Sequence, residues 1–293
     1  MQNYMIFMDA SADLDPRYAH EHDIQCVPMT CVSGGVSFSL TGFEGPDVLR
    51  SFYSDMRKGK MISTSQISPD EYVTAFRPYL EEGRDIIYLS LSSGLTNTYH
   101  SALQAKEKLE RKCPQGRLFP IDTLSATGGI NLLVEKAVSM RSSGVPVDIA
   151  AQELEVLARR VCHVFIVDDL MHLMRGGRVS ATSAVFGTAL HIKPVLVIDP
   201  EGRLTVVEKK RGIKAALREL QVRFEKARDA GEHRVYMCHS DSDDFVSSLI
   251  PMVREIDPEA DISPNLLSPV IGAHTGSGMI SVIFIGNRNA ILS

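Results

Sequence analysis

Three kinds of chemistry-bearing side chain recur in this sequence: hydroxyls in small-residue loops, one histidine among glycines, and arginines beside a glycine pair. The densest group lies between Asp85 and Ala102, D-I-I-Y-L-S-L-S-S-G-L-T-N-T-Y-H-S-A. Here Ser90, Ser92, Ser93 and Gly94 separate a short apolar run from a helix expected to open near Thr96. A strand that empties through such a turn into a helix N-terminus presents hydroxyls and backbone N–H groups together, which suits an anion. The same residues equally suit an ordinary strand-to-helix loop with capping serines. Ser63-Thr64-Ser65-Gln66 forms a second set, expected as a polar extended loop that is either solvated or lines a site. His274, in G-A-H-T-G-S-G, is expected in a glycine-rich turn before the last strand. Glycines on both sides allow a ligand to approach the backbone closely, although a lone histidine also serves structural roles. Arg175 and Arg178 flank Gly176-Gly177 and either bind an anion or pair with Asp168 and Asp169. Arg211, in K-K-R-G, reads by residue type as a solvated charge.

Composition narrows the function classes. The 293 residues are 44% hydrophobic and 23% charged, with a net charge of −5. That balance gives no basic footprint for nucleic acid. No run approaches the roughly 18–20 apolar residues of a membrane helix. The N-terminus, M-Q-N-Y-M-I-F-M-D, lacks the basic start and apolar core of a signal peptide, so a cytoplasmic location is expected. Five cysteines without a C-x-x-C pair point to reduced thiols rather than a disulfide framework or zinc site. There is no G-x-x-x-x-G-K-[ST] and no G-x-G-x-x-G after the first strand, which argues against nucleotide loops. There is also no G-x-S-x-G nucleophile elbow. No cofactor or metal is expected.

The elements that must position these side chains follow from periodicity. Strands are expected at Tyr4–Met8, Gln25–Thr30 and Val36–Leu40, with a hairpin turn at Gly34-Gly35. A helix runs from Gly45-Pro46 to Arg57, and Ser68-Pro69 with Glu71 spells a capping box for the next. From Asp85 to Val167 the order is strand, helix, strand, helix, helix, strand, which argues for a mostly parallel sheet. A small-residue helix is expected at Ser180–Leu190. Strands at Lys193–Ile198 and Arg203–Lys209 are joined by the turn Asp199-Pro200-Glu201-Gly202. A helix (Ile213 to Ala230), a strand (Arg234–Cys238), a helix (Phe245–Glu255) and strands near Ile262–Leu267 and Met279–Ile285 complete a second unit. The expected fold class is α/β: two packed α/β domains, residues 1–160 and 161–293, with a ligand cleft between them to which the Ser63–Gln66 loop contributes.

Five segments, in order, carry a resemblance. They are T-S-Q-x-S-P-x-E-Y at Thr64–Tyr72, L-S-S-G-L-x-x-T-Y-x-S-A at Leu91–Ala102, L-x-x-L-x-x-G-G-R-V-S at Leu170–Ser180, I-K-P-V-L at Ile192–Leu196 and V-I-G-x-H-T-G at Val270–Gly276. Together they resemble the DegV family of bacterial fatty-acid-binding proteins, which includes the B subunit of fatty acid kinase. Departures from the family pattern are Ile67 and Ser277 where proline is common, Asn97 where glycine is, and the opening M-D-A-S-A-D-L.

The resemblance implies a non-enzymatic subunit that buries a long-chain fatty acid, such as palmitate, stearate or oleate, between two domains. It further implies that a separate kinase subunit phosphorylates the carboxylate to an acyl phosphate, which an acyltransferase of phospholipid metabolism then uses. Carried over by position, Thr64, Ser65, Ser93, Gly94 and His274 would surround the carboxylate, with Arg211 and Arg175 as phosphate or kinase contacts. Burying a sixteen-carbon chain at about 0.8 kcal/mol per methylene offers roughly 11–12 kcal/mol gross. Each neutral head-group hydrogen bond nets only about 1 kcal/mol. The tail therefore supplies affinity and the head-group loops supply position. The alternatives are a stand-alone acyl hydrolase using Ser93 and His274, and a lipid carrier with no kinase partner.

Overall fold

The computed structural model describes residues 4–168, 170–180 and 191–293. Four strands, β1 (Met5–Asp9), β2 (Ile24–Val27), β6 (Ile86–Ser90) and β7 (Leu118–Asp122), form an all-parallel sheet in the order β2-β1-β6-β7. β1 and β6 are buried at every position, the mark of a parallel strand covered on both faces. Alternate residues divide between those faces. Met5, Phe7, Ile86 and Tyr88 pack under helices α3 (Pro69–Glu81) and α4 (Thr98–Glu110). Ile6, Met8, Ile87 and Leu89 pack on α5 (Gly128–Ser142).

The six-stranded sheet is built from β8 (Val161–Ile166), β9 (Ile192–Ile198), β10 (Leu204–Arg211), β11 (Arg234–His239), β12 (Asp261–Leu266) and β13 (Ile280–Ile285). Its order is β10-β9-β8-β13-β11-β12, antiparallel except for β11 with β12. Cys162, Val164 and Ile166 face helices α8 (Ile213–Ala227) and α9 (Asp243–Ile256), whereas Phe165 and Ile283 face α5. Helix α5 is thus a layer shared by both sheets. Its sequence, G-G-I-N-L-L-V, is apolar around most of its girth, as a helix buried on several sides must be.

The expected strand Gln25–Thr30 is in fact two. Pro28, which has no N–H to give to a ladder, separates β2 from β3 (Met29–Ser33), and β3 is the middle strand of a three-stranded antiparallel sheet with β4 (Val36–Leu40) and β5 (Ile62–Ser65). β4 (Val36–Leu40) follows a turn in which Gly34 and Gly35 both have positive φ, 57° and 82°, the type I′ requirement. The segment expected as a loop at Ser63–Gln66 is extended, but most of it is strand β5 (Ile62–Ser65). It pairs with the edge of β3 and places Thr64 opposite Cys31. The capping box at Ser68 and Glu71 is present in both directions. Residues 181–190 of the expected helix at Ser180–Leu190, and Asp169, lie outside the described residues. Helix α2 (Pro46–Arg57) leads back towards the site, α6 (Val147–Ala158) packs beside α5, and α7 (Met171–Arg175) precedes Gly176-Gly177.

The turn expected around His274 is instead a helix, α10 (Pro269–Thr275). Pro269 occupies its first turn and Gly276, at φ 75°, ends it, the usual asymmetry of helix ends. Gly272 sits inside this helix for a packing reason: a Cβ there would stand 2.4 Å from the Tyr53 hydroxyl, which donates to the Leu267 carbonyl at 2.9 Å. Among the described residues no helix is long and apolar enough to cross a membrane.

Candidate functional site

A cavity of about 420 Å³ lies where α10 packs against β3, β5 and α7, within the range of roughly 300–1,000 Å³ common for small-molecule sites. Its two ends differ in character. At the closed end β8 contributes His163 and Phe165 and β13 contributes Ser281 and Ile283, all nearly inaccessible. Leu173, Ile198 and Leu204 continue the apolar wall. At the other end Ser65, Gln66 and Asn97 are exposed, and Thr64, Thr96, Arg178 and His274 stand beside them.

His274 and Thr64, 210 positions apart in the chain, meet there: His274 Nε2 lies 2.8 Å from Thr64 Oγ1. Behind the ring is Gly176, where a Cβ would approach His274 Nδ1 to 2.4 Å. The glycine pair before Arg178 therefore makes the seat for the imidazole. Burial first, and then the Arg178 charge, lower the His274 pKa to about 4. The ring is neutral near pH 7 and offers one donor and one acceptor nitrogen. Arg178 turns into the fold: Nε donates to the Leu95 carbonyl at 3.2 Å and Nη1 to that of Gly176. It supplies positive charge at the polar end with much of its fork already engaged.

The loop between β6 and α4 behaves as two pieces. Leu91, Leu95, Thr96 and Asn97 border the cavity; Ser93 and Gly94 do not. The Ser93 N–H donates to Asp122 at 3.1 Å. The Ser92 hydroxyl donates to the Gly202 carbonyl at 2.7 Å and accepts from the Gly94 N–H at 3.2 Å. A Cβ on Gly94 would come within 2.5 Å of Gly202, so the serine–glycine run locks this loop onto the β9–β10 turn. Ser90 donates to the adjacent Leu91 carbonyl. Asp9 anchors the same loop from beneath, accepting from the Leu91 N–H and the Tyr88 hydroxyl, each at 2.9 Å; burial raises its pKa. Asp13 accepts from the Ser268 N–H at 2.9 Å and so fixes the start of α10.

Of the residues singled out in the sequence, Thr64, Ser65, Gln66, Arg178 and His274 converge on the cavity. Arg175 is exposed, its Nη1 3.9 Å from Met61 Sδ, and Arg211 is exposed at the end of β10; neither lines the cavity. The alternative pairing of Arg175 or Arg178 with Asp168 is not seen among the described residues, where Asp168 bonds Lys193 at 2.6 Å; Asp169 lies outside them. Nor do Ser93 and His274 make a nucleophile–base pair, since the histidine bonds Thr64. The sequence reading did not assign Thr96, Asn97 or His163 to the site. For His163 the signal was present: one histidine in the otherwise apolar run V-C-H-V-F-I.

Comparison with known proteins agrees along the whole chain. The profile described as "Uncharacterised protein, DegV family" matches residues 3–287. A DegV domain-containing protein of Clostridium perfringens is 35% identical over 288 residues, covering 98% of this chain and 99% of that protein. A DegV family structure from Thermus thermophilus, described by its fatty acid binding, superposes with a TM-score of 0.84 at 28% identity over 98% of this chain and 100% of the other. A Thermotoga maritima structure said to reveal fatty acid binding function gives 0.84 at 26% identity, with the same coverage. The chain belongs to the DegV family.

Proposed function

We propose that this protein holds a long-chain fatty acid in the cavity, carboxylate beside Thr64 and His274 and tail against Phe165 and Ile283, and presents the carboxylate to a separate kinase subunit. The observation that carries the reading is the contrast within one cavity between exposed hydroxyls and amides around a neutral histidine and a buried, mostly apolar wall of Phe165, Leu173, Ile198 and Ile283. Fatty acid binding by relatives 26–28% identical in sequence and alike in fold supports it.

The head-group chemistry suits presentation. A bidentate arginine would bind a carboxylate strongly and draw on its electron density. Arg178 instead has Nε and Nη1 engaged by backbone carbonyls, so it balances the negative charge without offering the whole fork. Thr64 and His274 orient one carboxylate oxygen, and the other is free to attack the γ-phosphate of ATP on the partner. The bond formed is carboxyl oxygen to phosphorus; ADP leaves. Ser65, Gln66 and Asn97 are exposed, so this end of the cavity faces solvent from which a partner can approach. Arg175 and Arg211, both exposed, are the candidate contacts to phosphate or kinase. An acyltransferase that consumes the acyl phosphate follows as a downstream partner.

Solvent extraction of purified protein followed by mass spectrometry tests the first half of the reading. A stoichiometric long-chain acid, or uptake of one when offered, is expected; neither would sink it. ATP-dependent acyl phosphate formation only when a kinase subunit is added tests the second half, and loading without phosphorylation under those conditions would leave a carrier.

A further inference from the structure

Arginines gather in a second cleft, built where three chain segments end beside one another. Arg159 and Arg160 follow α6, Arg228 follows α8, and Asn287, Arg288 and Asn289 follow β13. Gly286 lets the segments meet, because a Cβ there would stand 2.1 Å from the Ala227 carbonyl. Its N–H donates to the Arg160 carbonyl at 2.9 Å, and the Asn287 N–H donates to that of Ala227 at 2.8 Å. The cleft is about 690 Å³ and shares no lining residue with the cavity described above. Its charge is out of balance. Asp229 pairs with Arg160, and Asp257 with Arg228 at 3.1 Å. Arg288 is only 4% exposed, yet its bonds go to neutral groups: Nε donates to the Val161 carbonyl at 2.7 Å and Nη2 to that of Leu124 at 2.9 Å. Asp199 and Asp122 act on it only through space. Both are engaged elsewhere, Asp199 by the N–H groups of Glu201 and Arg203, Asp122 by those of Ser93 and Leu124. Burial lowers the Arg288 pKa to about 10, with Arg159 adding to the effect, so the group is charged at pH 7. Arg159 is exposed and has no hydrogen-bond or ion-pair partner among the described residues. Arginines that close a helix suit its negative C-terminal end, which accounts for Arg159 and Arg228. It does not account for a charge enclosed at Arg288 without a counter-charge, which is costly.

We propose that this cleft binds the phosphate group of a small molecule. Two guanidinium groups without a carboxylate, Arg159 and Arg288, match a dianion better than a single carboxylate, and the planar guanidinium fork fits phosphate geometry. Arg159 and Arg160 supply the donors that touch the ligand, and the exposed amides of Asn287 and Asn289 stand at the rim. Arg288, whose Nη1 is enclosed, acts from the floor through its charge alone. Because the cleft has no wall in common with the cavity, the inference is independent of the fatty acid reading.

The experiment is a calorimetric titration of the full chain with inorganic phosphate at about pH 8, where phosphate is a dianion, with acetate and chloride as controls at matched ionic strength. Phosphate should bind saturably, and acetate about tenfold less tightly, since it brings half the charge. Arg159→Gln should weaken phosphate about tenfold through the loss of a charged hydrogen bond. Arg159 is exposed and unpaired, so this variant should unfold in urea at the wild-type midpoint, and the buried Arg288 need not be touched. Arg111→Gln removes the same charge from another exposed arginine, one that closes α4 outside this cleft, and should leave phosphate affinity unchanged. No saturable phosphate binding, equal affinity for acetate, or equal losses in the Arg159 and Arg111 variants would each overturn the proposal. So would binding to phosphatidylglycerol vesicles without binding of soluble phosphate, which would make the patch a membrane contact.

Discussion

Gly176→Ala isolates the contact on which the proposed head-group geometry depends. The added methyl would lie 2.4 Å from His274 Nδ1, while its next contacts, His274 Cε1 and the His172 carbonyl, are at 3.2 and 3.4 Å. The imidazole is therefore what must give way, and swinging it aside breaks the 2.8 Å bond to Thr64. A hydrogen bond of this kind nets about 1 kcal/mol, or about fivefold in ligand affinity. The backbone at 176 is helical, φ −71° and ψ −10°, so alanine itself stabilises by about 0.4–1 kcal/mol through the unfolded chain. Global stability should then barely change while acyl loading weakens, a separation visible by titrating a fatty acid calorimetrically and by urea unfolding of the empty protein. Thr64→Val removes the same bond from its other end. If both changes act through one bond, the double variant should lose about fivefold, not about twenty-fivefold, because coupled sites are not additive. Losses that multiply in full would refute the assignment of Gly176 as the seat of His274.

Other expectations follow from the same geometry. The His274 imidazole should titrate at about 4 in the empty protein and move upward when a carboxylate binds beside it, as read from its ring protons by NMR. Because the folded form is neutral, the stability it contributes is full above about pH 6.5 and lost as pH falls towards 4; an ordinary pKa in the empty protein would contradict its burial against Arg178. Asp13 runs the opposite way. Burial raises its pKa to about 7, so the folded state keeps a proton that the unfolded chain releases near pH 4. Stability should fall by about 1.4 kcal/mol per pH unit between those limits, and Asp13→Asn, compared with wild type by urea unfolding across that window, should remove this slope. Ser92→Ala strands the Gly202 carbonyl and the Gly94 N–H and should cost about 1–3 kcal/mol in denaturant unfolding.

What was legible in the sequence was local. Ser68-Pro69 with Glu71 and the Gly34-Gly35 turn state their geometry within four residues, and the structure keeps both. Pro28 was equally visible, but the β-branched run around it masked its effect, and only the change of sheet shows that the strand is cut there. The helix α10 was misread because Gly272 and Gly276 look like turn residues in isolation. The reason for Gly272 is Tyr53, more than two hundred positions away. The same distance hides the Thr64–His274 pair from any local pattern, and the ordered motifs of the DegV resemblance pointed to it instead. Position along a motif did not fix direction, however. Ser93 and Gly94 share a loop with Leu95 and Thr96, yet Ser93 bonds Asp122, Gly94 packs on the β9–β10 turn, and the second two border the cavity.

The placement of α5 has a consequence for how the chain can be divided. Gly128 abuts Tyr236 of one sheet, Gly129 abuts His163 of the same sheet, and on the other side Ile6 and Leu89 press on the helix from the four-stranded sheet. A cut after residue 160 would leave α5 and its apolar girth with one wall missing, so the N-terminal fragment should aggregate rather than fold. The intact chain should melt in a single cooperative transition, with calorimetric and van't Hoff enthalpies equal. A protein joined in this way does not open by swinging two lobes apart. On the proposed reading, a lipid should enter and leave between loops at the rim, past the exposed segments carrying Gln66 and Asn97.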